Sequence, residues 1–192
     1  KQDAEKLSGK GDTSQKLTLM KTSADSLKKS ADALNDASLW EKKKIKKKDE
    51  KTGEEIAVED YDWDKITKAV KSFVEDYNDV VKEAGESNTK DVLRNASWMT
   101  GMTDKNSNML AKIGITIGKG NKLELDEDAL KQADISSLKT VFTGYNSFVS
   151  KISQKATGIS NAANRASATY TNNGTYSKTD SLLTSSKIDE EV

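Results

Sequence analysis

Asp126, Glu127 and Asp128 are three consecutive carboxylates. That residue type can share a proton as acid and base, or hold a divalent cation through oxygen. Asp60, Asp62 and Asp64 repeat the chemistry at the alternate spacing of calcium-loop ligands. Lys42, Lys43, Lys44, Lys46, Lys47 and Lys48 could hold a polyanion, and Gly118-Lys119-Gly120 could imitate a phosphate-cradling loop. Each group has a plainer use. A calcium loop counted from Asp60 needs glycine at its sixth position and glutamate at its twelfth, and those positions hold Lys65 and Lys71. Both acidic groups sit where a helix should begin, so capping and the helix dipole account for them. The glycine loop lacks the Gly-Lys-Ser/Thr ending and reads as a hairpin turn. The lysines are followed by Asp49, Glu50, Glu54 and Glu55, and only Trp40 stands nearby as an aromatic. A solvated connection, or a fluctuating hairpin, is the reading for 41–60.

Composition narrows the choice further. The chain has 192 residues with no histidine, cysteine or proline. Without histidine the commonest general base and transition-metal ligand are gone. Without cysteine, disulfides, thiol nucleophiles and thiolate metal sites go too. Lys+Arg and Asp+Glu are both 31, so the positive excess of a general polyanion binder is missing. There is no run of roughly 18 apolar residues, hence no membrane span. The chain begins without Met, which reads as a processed form or an excised fragment. Hydrophobic residues at 34% against 32% charged suit helices that each bury one narrow stripe, not a doubly wound sheet.

The elements follow from periodicity. Leu17, Met20, Ala24, Leu27, Ala31 and Leu34 recur at heptad spacing and predict a first helix over 14–40. Trp63, Ile66, Val70, Phe73, Tyr77, Val80 and Ala84 predict a second over 62–84. The aromatics Trp63, Phe73 and Tyr77 could line a ligand groove, but at this spacing they read as core. A third helix is expected over 88–103. Alternation at Ile113, Ile115 and Ile117, then Leu123 and Leu125, predicts a β-hairpin at 113–126. Asp126 should cap a short helix over 127–133, and Ser136 or Ser137 a further turn. A last helix starts near Tyr145 with a stripe of Phe148, Ile152, Ile159, Ala163, Ala166 and Tyr170, in which Lys155 takes one apolar position and Gly158 weakens the helix. The resulting plan is mainly α, an elongated antiparallel coiled-coil-like bundle with a small β-hairpin. It comprises a flexible segment 1–12, a bundle domain 13–170 containing the hairpin and the lysine-rich loop 41–60, and a flexible tail 171–192.

Four stretches carry a resemblance. Ser72-Phe73-Val74-Glu75-Asp76-Tyr77-Asn78-Asp79-Val80-Val81 resembles the "FV..YN.LV" helix of the flagellar hook-associated protein 2, or filament cap, family. Leu110-Ala111-Lys112-Ile113-Gly114-Ile115-Thr116 resembles its "L..IGI" lead into a hairpin. Leu123 to Leu130 resembles "L.LDE..L", and Val141-Phe142 resembles the following "V..LF". The four occur in the family's order and cover about 66–142. The resemblance implies a helical leg with an attached hairpin, in a structural protein that assembles with like subunits or flagellin-like filament subunits outside the cell. It implies no catalytic residue, metal or cofactor. Residues 41–60 stand where the family carries larger tip domains, so a reduced relative or a core fragment is expected.

Two other function classes remain on the residues alone: a small metal-dependent enzyme using Asp126, Glu127 and Asp128, and a polyanion-binding module using the lysines. The apolar stripes suffice to cover one another within one chain, so self-association should be weak and the dilute protein a monomer. If Phe73 is core, Phe73→Ala lowers the unfolding free energy by about 3–5 kcal/mol in chemical denaturation. A loss near zero would make it an interface residue instead.

Overall fold

Six apolar residues at heptad spacing make the first helix bury one face, and they do so completely. The structure is a computed structural model describing residues 11–185, with side chains described through 169. Helix α1 spans Ser14–Leu34 and buries Leu17, Met20, Ala24, Leu27, Ala31 and Leu34. Thr13 caps it by accepting from the Lys16 N–H. The helix is shorter than the 14–40 expectation. Asn35 and Asp36 end it, and Ala37–Trp40 turn back as a 3-10 helix capped by Asp36. The Trp40 indole N–H then donates to the Leu34 carbonyl at 2.7 Å, satisfying an oxygen the helix end leaves free.

Strands β1, Lys43–Lys48, and β2, Glu55–Asp60, follow. They pair antiparallel with Lys43 opposite Asp60 and Lys48 opposite Glu55. Of the two readings offered for 41–60, the lysine-rich segment takes the hairpin, as an ordered antiparallel ribbon. Gly53, at φ 73°, supplies the left-handed residue that its turn requires. Helix α2, Trp63–Gly85, is capped by Asp62, which accepts from the Lys65 N–H. Helix α3, Lys90–Lys105, runs straight through Gly101.

Helix α4, Ser107–Ala111, leads into a second hairpin of β3, Ile115–Ile117, and β4, Leu123–Leu125, with Ile115 opposite Leu125. Two short helices follow, α5 at Glu127–Gln132 and α6 at Ile135–Phe142. Asp134, not Ser136 or Ser137, caps α6, because its carboxylate reaches the Ser137 N–H. Helix α7, Phe148–Ser185, starts later than Tyr145, since Ser147 caps it through the Ser150 N–H. It continues helical through 171–185, where the sequence suggested a tail. Residues 186–192 of that tail, and 1–10 of the expected N-terminal segment, lie outside the described residues.

The four long helices close a ring of neighbours. Helix α1 packs on α2 and α7, and α3 packs on the same two from the opposite side. Their shared core buries Leu27, Phe73 and Ile152 fully. On α7 the core position is Ala156 rather than Lys155. Lys155 stays at the boundary, with its ammonium 4.2 Å from the centre of the Trp98 ring. Gly158 is needed where it stands: a Cβ there would come within 2.4 Å of the Asn95 amide on α3.

Polar locks fix the register of this bundle. Ser160 donates to Asp25 at 2.6 Å and Ser153 to Asp32 at 2.7 Å, so α7 runs antiparallel to α1 and meets it one heptad apart. Lys21 and Lys28 pair with the same two carboxylates from one turn earlier. Asp12 does more. Its carboxylate accepts from Ser87 Oγ, Thr89 Oγ1 and the backbone N–H groups of Asn88 and Thr89, at 2.6 to 3.1 Å. Thr89, the N-cap residue of α3, makes no side-chain cap of its own, and Asp12 holds its N–H and hydroxyl from 77 residues away. The expected loose N-terminal segment is thus anchored at its last residue.

These contacts make the fold acid-sensitive. Burial pushes Asp12, Asp25 and Asp32 upward. Hydrogen bonds from Ser87 and Thr89, from Lys21 and Ser160, and from Lys28 and Ser153 outweigh it and hold all three below 3.8. A depressed folded-state value means the stabilisation is intact above 3.8 and is lost as pH falls through the folded values. Asp76 opposes them. Burial raises it against a bond from Ser30, helped by the charges of Asp79 and Glu75, so protonating it favours the fold. Thermal melts of Asp12→Asn should therefore show a lower Tm at pH 7 and a smaller further drop on acidification than the parent. Parallel curves for the two proteins would contradict this.

Candidate functional site

The carboxylate groups that invited a catalytic reading are used as structure. Asp126 caps α5 by accepting from the Ala129 N–H at 2.9 Å. Glu127 lies 3.5 Å from Lys71, while Asp62 caps α2. Asp60 pairs with Lys47 and also accepts from the Tyr61 N–H. Among the described residues no three acidic side chains gather where a metal ion could sit. Phe73 and Tyr77 are fully buried, and Trp63 is half-buried against the Tyr61 ring at 6.1 Å.

What the sequence motifs do build is the head of the bundle, where the β3–β4 hairpin and α5 dock on α2 while α4 packs on α3 and α6 on α7. Asn78 is the central polar contact. Its amide nitrogen donates to the Leu123 carbonyl at 2.9 Å, and its oxygen accepts the Leu123 N–H at 2.7 Å. One side chain thereby satisfies both main-chain groups of a strand residue, as a third strand would. Asn78 had no recognised role in the sequence reading. Its neighbour Tyr77 donates to Thr103 Oγ1 at 2.8 Å, and burial pushes its phenol up to about 12. Leu110, Ile113, Ile115, Leu123 and Leu130 fill the space between hairpin and helix.

Gly114 is the tightest point. Its φ is +86°, and a Cβ there would lie 2.7 Å from the Asp126 carbonyl and 3.0 Å from the Leu130 nitrogen. The Asp126 N–H donates to the Gly114 carbonyl at 2.8 Å. Glycine is required both by the left-handed backbone and by the lack of room. Val141 and Phe142 complete the head. The Phe142 ring stacks on Trp40 at 5.5 Å and meets the Phe73 ring edge-on at 6.4 Å.

Two features of the surface remain open. Helix α3 exposes Trp98, beside Met102 and Lys105, around an open cavity of about 390 Å³, and exposes part of Leu93 elsewhere. The β1–β2 ribbon stands off the bundle with most of its side chains in water. Neither holds a geometry suited to bond-making chemistry. Among the described residues, no helix is long and apolar enough to cross a membrane.

The head docking can be tested directly. Gly114→Ala should either abolish folding or lower stability by more than 3 kcal/mol, since strain and two backbone clashes combine (an estimate on the order of those for special backbone positions). Asn78→Ala leaves two buried main-chain groups unpaired and should cost about 2–4 kcal/mol, at roughly 1–2 for each. Hydrogen exchange should show Leu123 losing protection before the α1 amides do. Unchanged protection at Leu123 would mean the amide is not what holds the hairpin.

Comparison with known proteins agrees with this architecture. No curated protein and no solved structure matches the chain. The family model described as flagellar hook-associated protein 2 C-terminus matches residues 87–190, which is more than half of the sequence and takes in α3 through α7. The motifs that dock the hairpin and the matched region overlap, and the chain belongs to the flagellar hook-associated protein 2 family.

Proposed function

We propose that this chain is a structural subunit of a flagellar cap-type assembly, working outside the cell through contacts with like subunits or with flagellin-like filament subunits. The observation that carries the reading is the family match over 87–190. The use of the buried polar groups supports it: Asn78, Asp12, Asp25 and Asp32 are spent on fixing helices and hairpin in register. Such a framework presents surfaces rather than transforming a substrate. The helical bundle domain, about residues 13–170, is the unit that does so.

The other two readings of the sequence gain nothing from the geometry. Asp126 is engaged as a cap and Glu127 faces a lysine. The lysines of β1 stand directly beside the acids of β2, which weakens the field a polyanion would feel. The buried stripes cover one another, so the isolated chain stays monomeric when dilute and assembles at high concentration or on a filament end.

Fluorescently labelled protein mixed with sheared flagellar filaments should mark one end of each filament. Sedimentation velocity of the same sample alone at micromolar concentration should show a monomer. Labelling along the filament wall, or none at all, overturns the reading. A stable ring at micromolar concentration would refute the weak self-association.

A further inference from the structure

Strand β1 carries five lysines and no acid, and β2 carries three acids and no base. Among the described residues the ribbon has only these two strands, so both are edges with one row of unpaired main-chain groups. The Asp49 N–H donates to the Glu54 carbonyl at 2.9 Å. Ladder bonds alternate from there in an antiparallel pair. Lys44, Lys46 and Lys48 therefore turn their main-chain groups outward on one edge, and Glu55, Ala57 and Glu59 do so on the other. The side chains of all six lie on one face.

We propose that the ribbon is a self-complementary docking edge: β1 of one copy adds to β2 of the next, extending the sheet from subunit to subunit. This rests on the proposed assembly role and names the surface that performs it. Charge decides the pairing. In the register the ribbon already uses, Lys44 of one copy falls opposite Glu59 of the next, and Lys48 opposite Glu55. Two β1 edges brought together would set lysine against lysine, and two β2 edges glutamate against glutamate, which is unfavourable for directly opposed residues. The contact is therefore head-to-tail. Head-to-tail contacts close into rings or run on as open chains, and do not stop at a two-fold dimer.

The ribbon's own condition supports an added strand. An isolated two-stranded hairpin is marginal in water. Here the flanking ion pair Lys46–Glu55 is 3.4 Å long and exposed, free to exchange for an equivalent pair with a neighbour. Ile56 is 42% exposed on the opposite face, where a third strand would flank it.

The test is sedimentation velocity over a rising concentration series at low salt, with Ala57→Pro beside the parent. Proline at Ala57 removes an outward N–H and leaves the internal ladder intact, so the variant should keep the parent's Tm. The parent should build species larger than two copies. These should dissociate in 1 M salt, where the screening length falls to about 3 Å. Ala57→Pro should stay monomeric across the whole series. In a second pair, the combined variant Lys44→Glu, Lys46→Glu and Lys48→Glu and the combined variant Glu55→Lys and Glu59→Lys should each lose assembly alone, and an equimolar mixture should regain it. A parent that never assembles, or a predominant two-copy species, overturns the proposal. Assembly that survives Ala57→Pro also overturns it, while leaving the filament-end role of the chain standing.

Discussion

Phe73 lies where α2 meets rings from two other segments. Its edge contacts with Phe142 and Phe148 are both 6.4 Å between centroids, and Phe142 is in turn stacked on Trp40. Four pieces of chain, from the end of α1 to the start of α7, converge on these rings. Each aromatic pair adds about 0.5–1.5 kcal/mol beyond the area it buries. More important, the rings stand at the junction between bundle and head. The α6 segment also packs on α7, so the rings bind a head that is held from both long helices. Without Phe73 the Phe142 ring would keep its stack on Trp40 but lose its edge contact with α2, and the head would depend more heavily on Asn78 for its tie to that helix.

Apolar packing of this kind tolerates sliding, because one leucine-lined stripe resembles the next turn of itself. The polar pairs remove that freedom. Asp25 with Ser160 and Asp32 with Ser153 can both form at only one axial offset of α1 and α7. The close approach of Gly158 to Asn95 sets α3 against α7 in the same way. Asp12 then ties the start of α1 to the turn between α2 and α3. Hydrophobic burial supplies the driving force, and a few hydrogen bonds choose one alignment among near equivalents.

Much of this was readable from the sequence. The α1 stripe is buried residue for residue, and the α2 stripe is buried apart from half-exposed Trp63, because heptad spacing reports which face of a helix meets its neighbours. The β3–β4 hairpin and the Asp126 cap are local patterns and stand where expected. The contacts that escaped are those between distant residues. Nothing near Asp12 announces that its partners are Ser87, Asn88 and Thr89, and nothing near Asn78 announces Leu123. Lys155 looked like a flaw in a stripe because its partner, Trp98, is on another helix. The lysine-rich segment left a loop and a hairpin both open, because only Ile45, Ile56 and Val58 mark the less exposed face of a ribbon whose other positions are mostly charged. Ser136 and Ser137 were plausible caps, but Asp134 was the one placed a turn ahead of a free N–H.

The broad contact between α1 and α7 also dictates when the fold can be finished. Helix α1 comes first in the chain and its largest neighbour comes last, with Asp25 and Ser160 separated by 135 positions. A chain emerging from its N-terminus cannot cover the α1 stripe with α7 until all the residues between Asp25 and Ser160 have appeared. Closure of such a long loop is an unfavourable step that local contacts do not offset until α7 arrives. Topology alone therefore delays completion: the α1 stripe waits for α7 while everything between them is made, and the ring of helices shuts only after that.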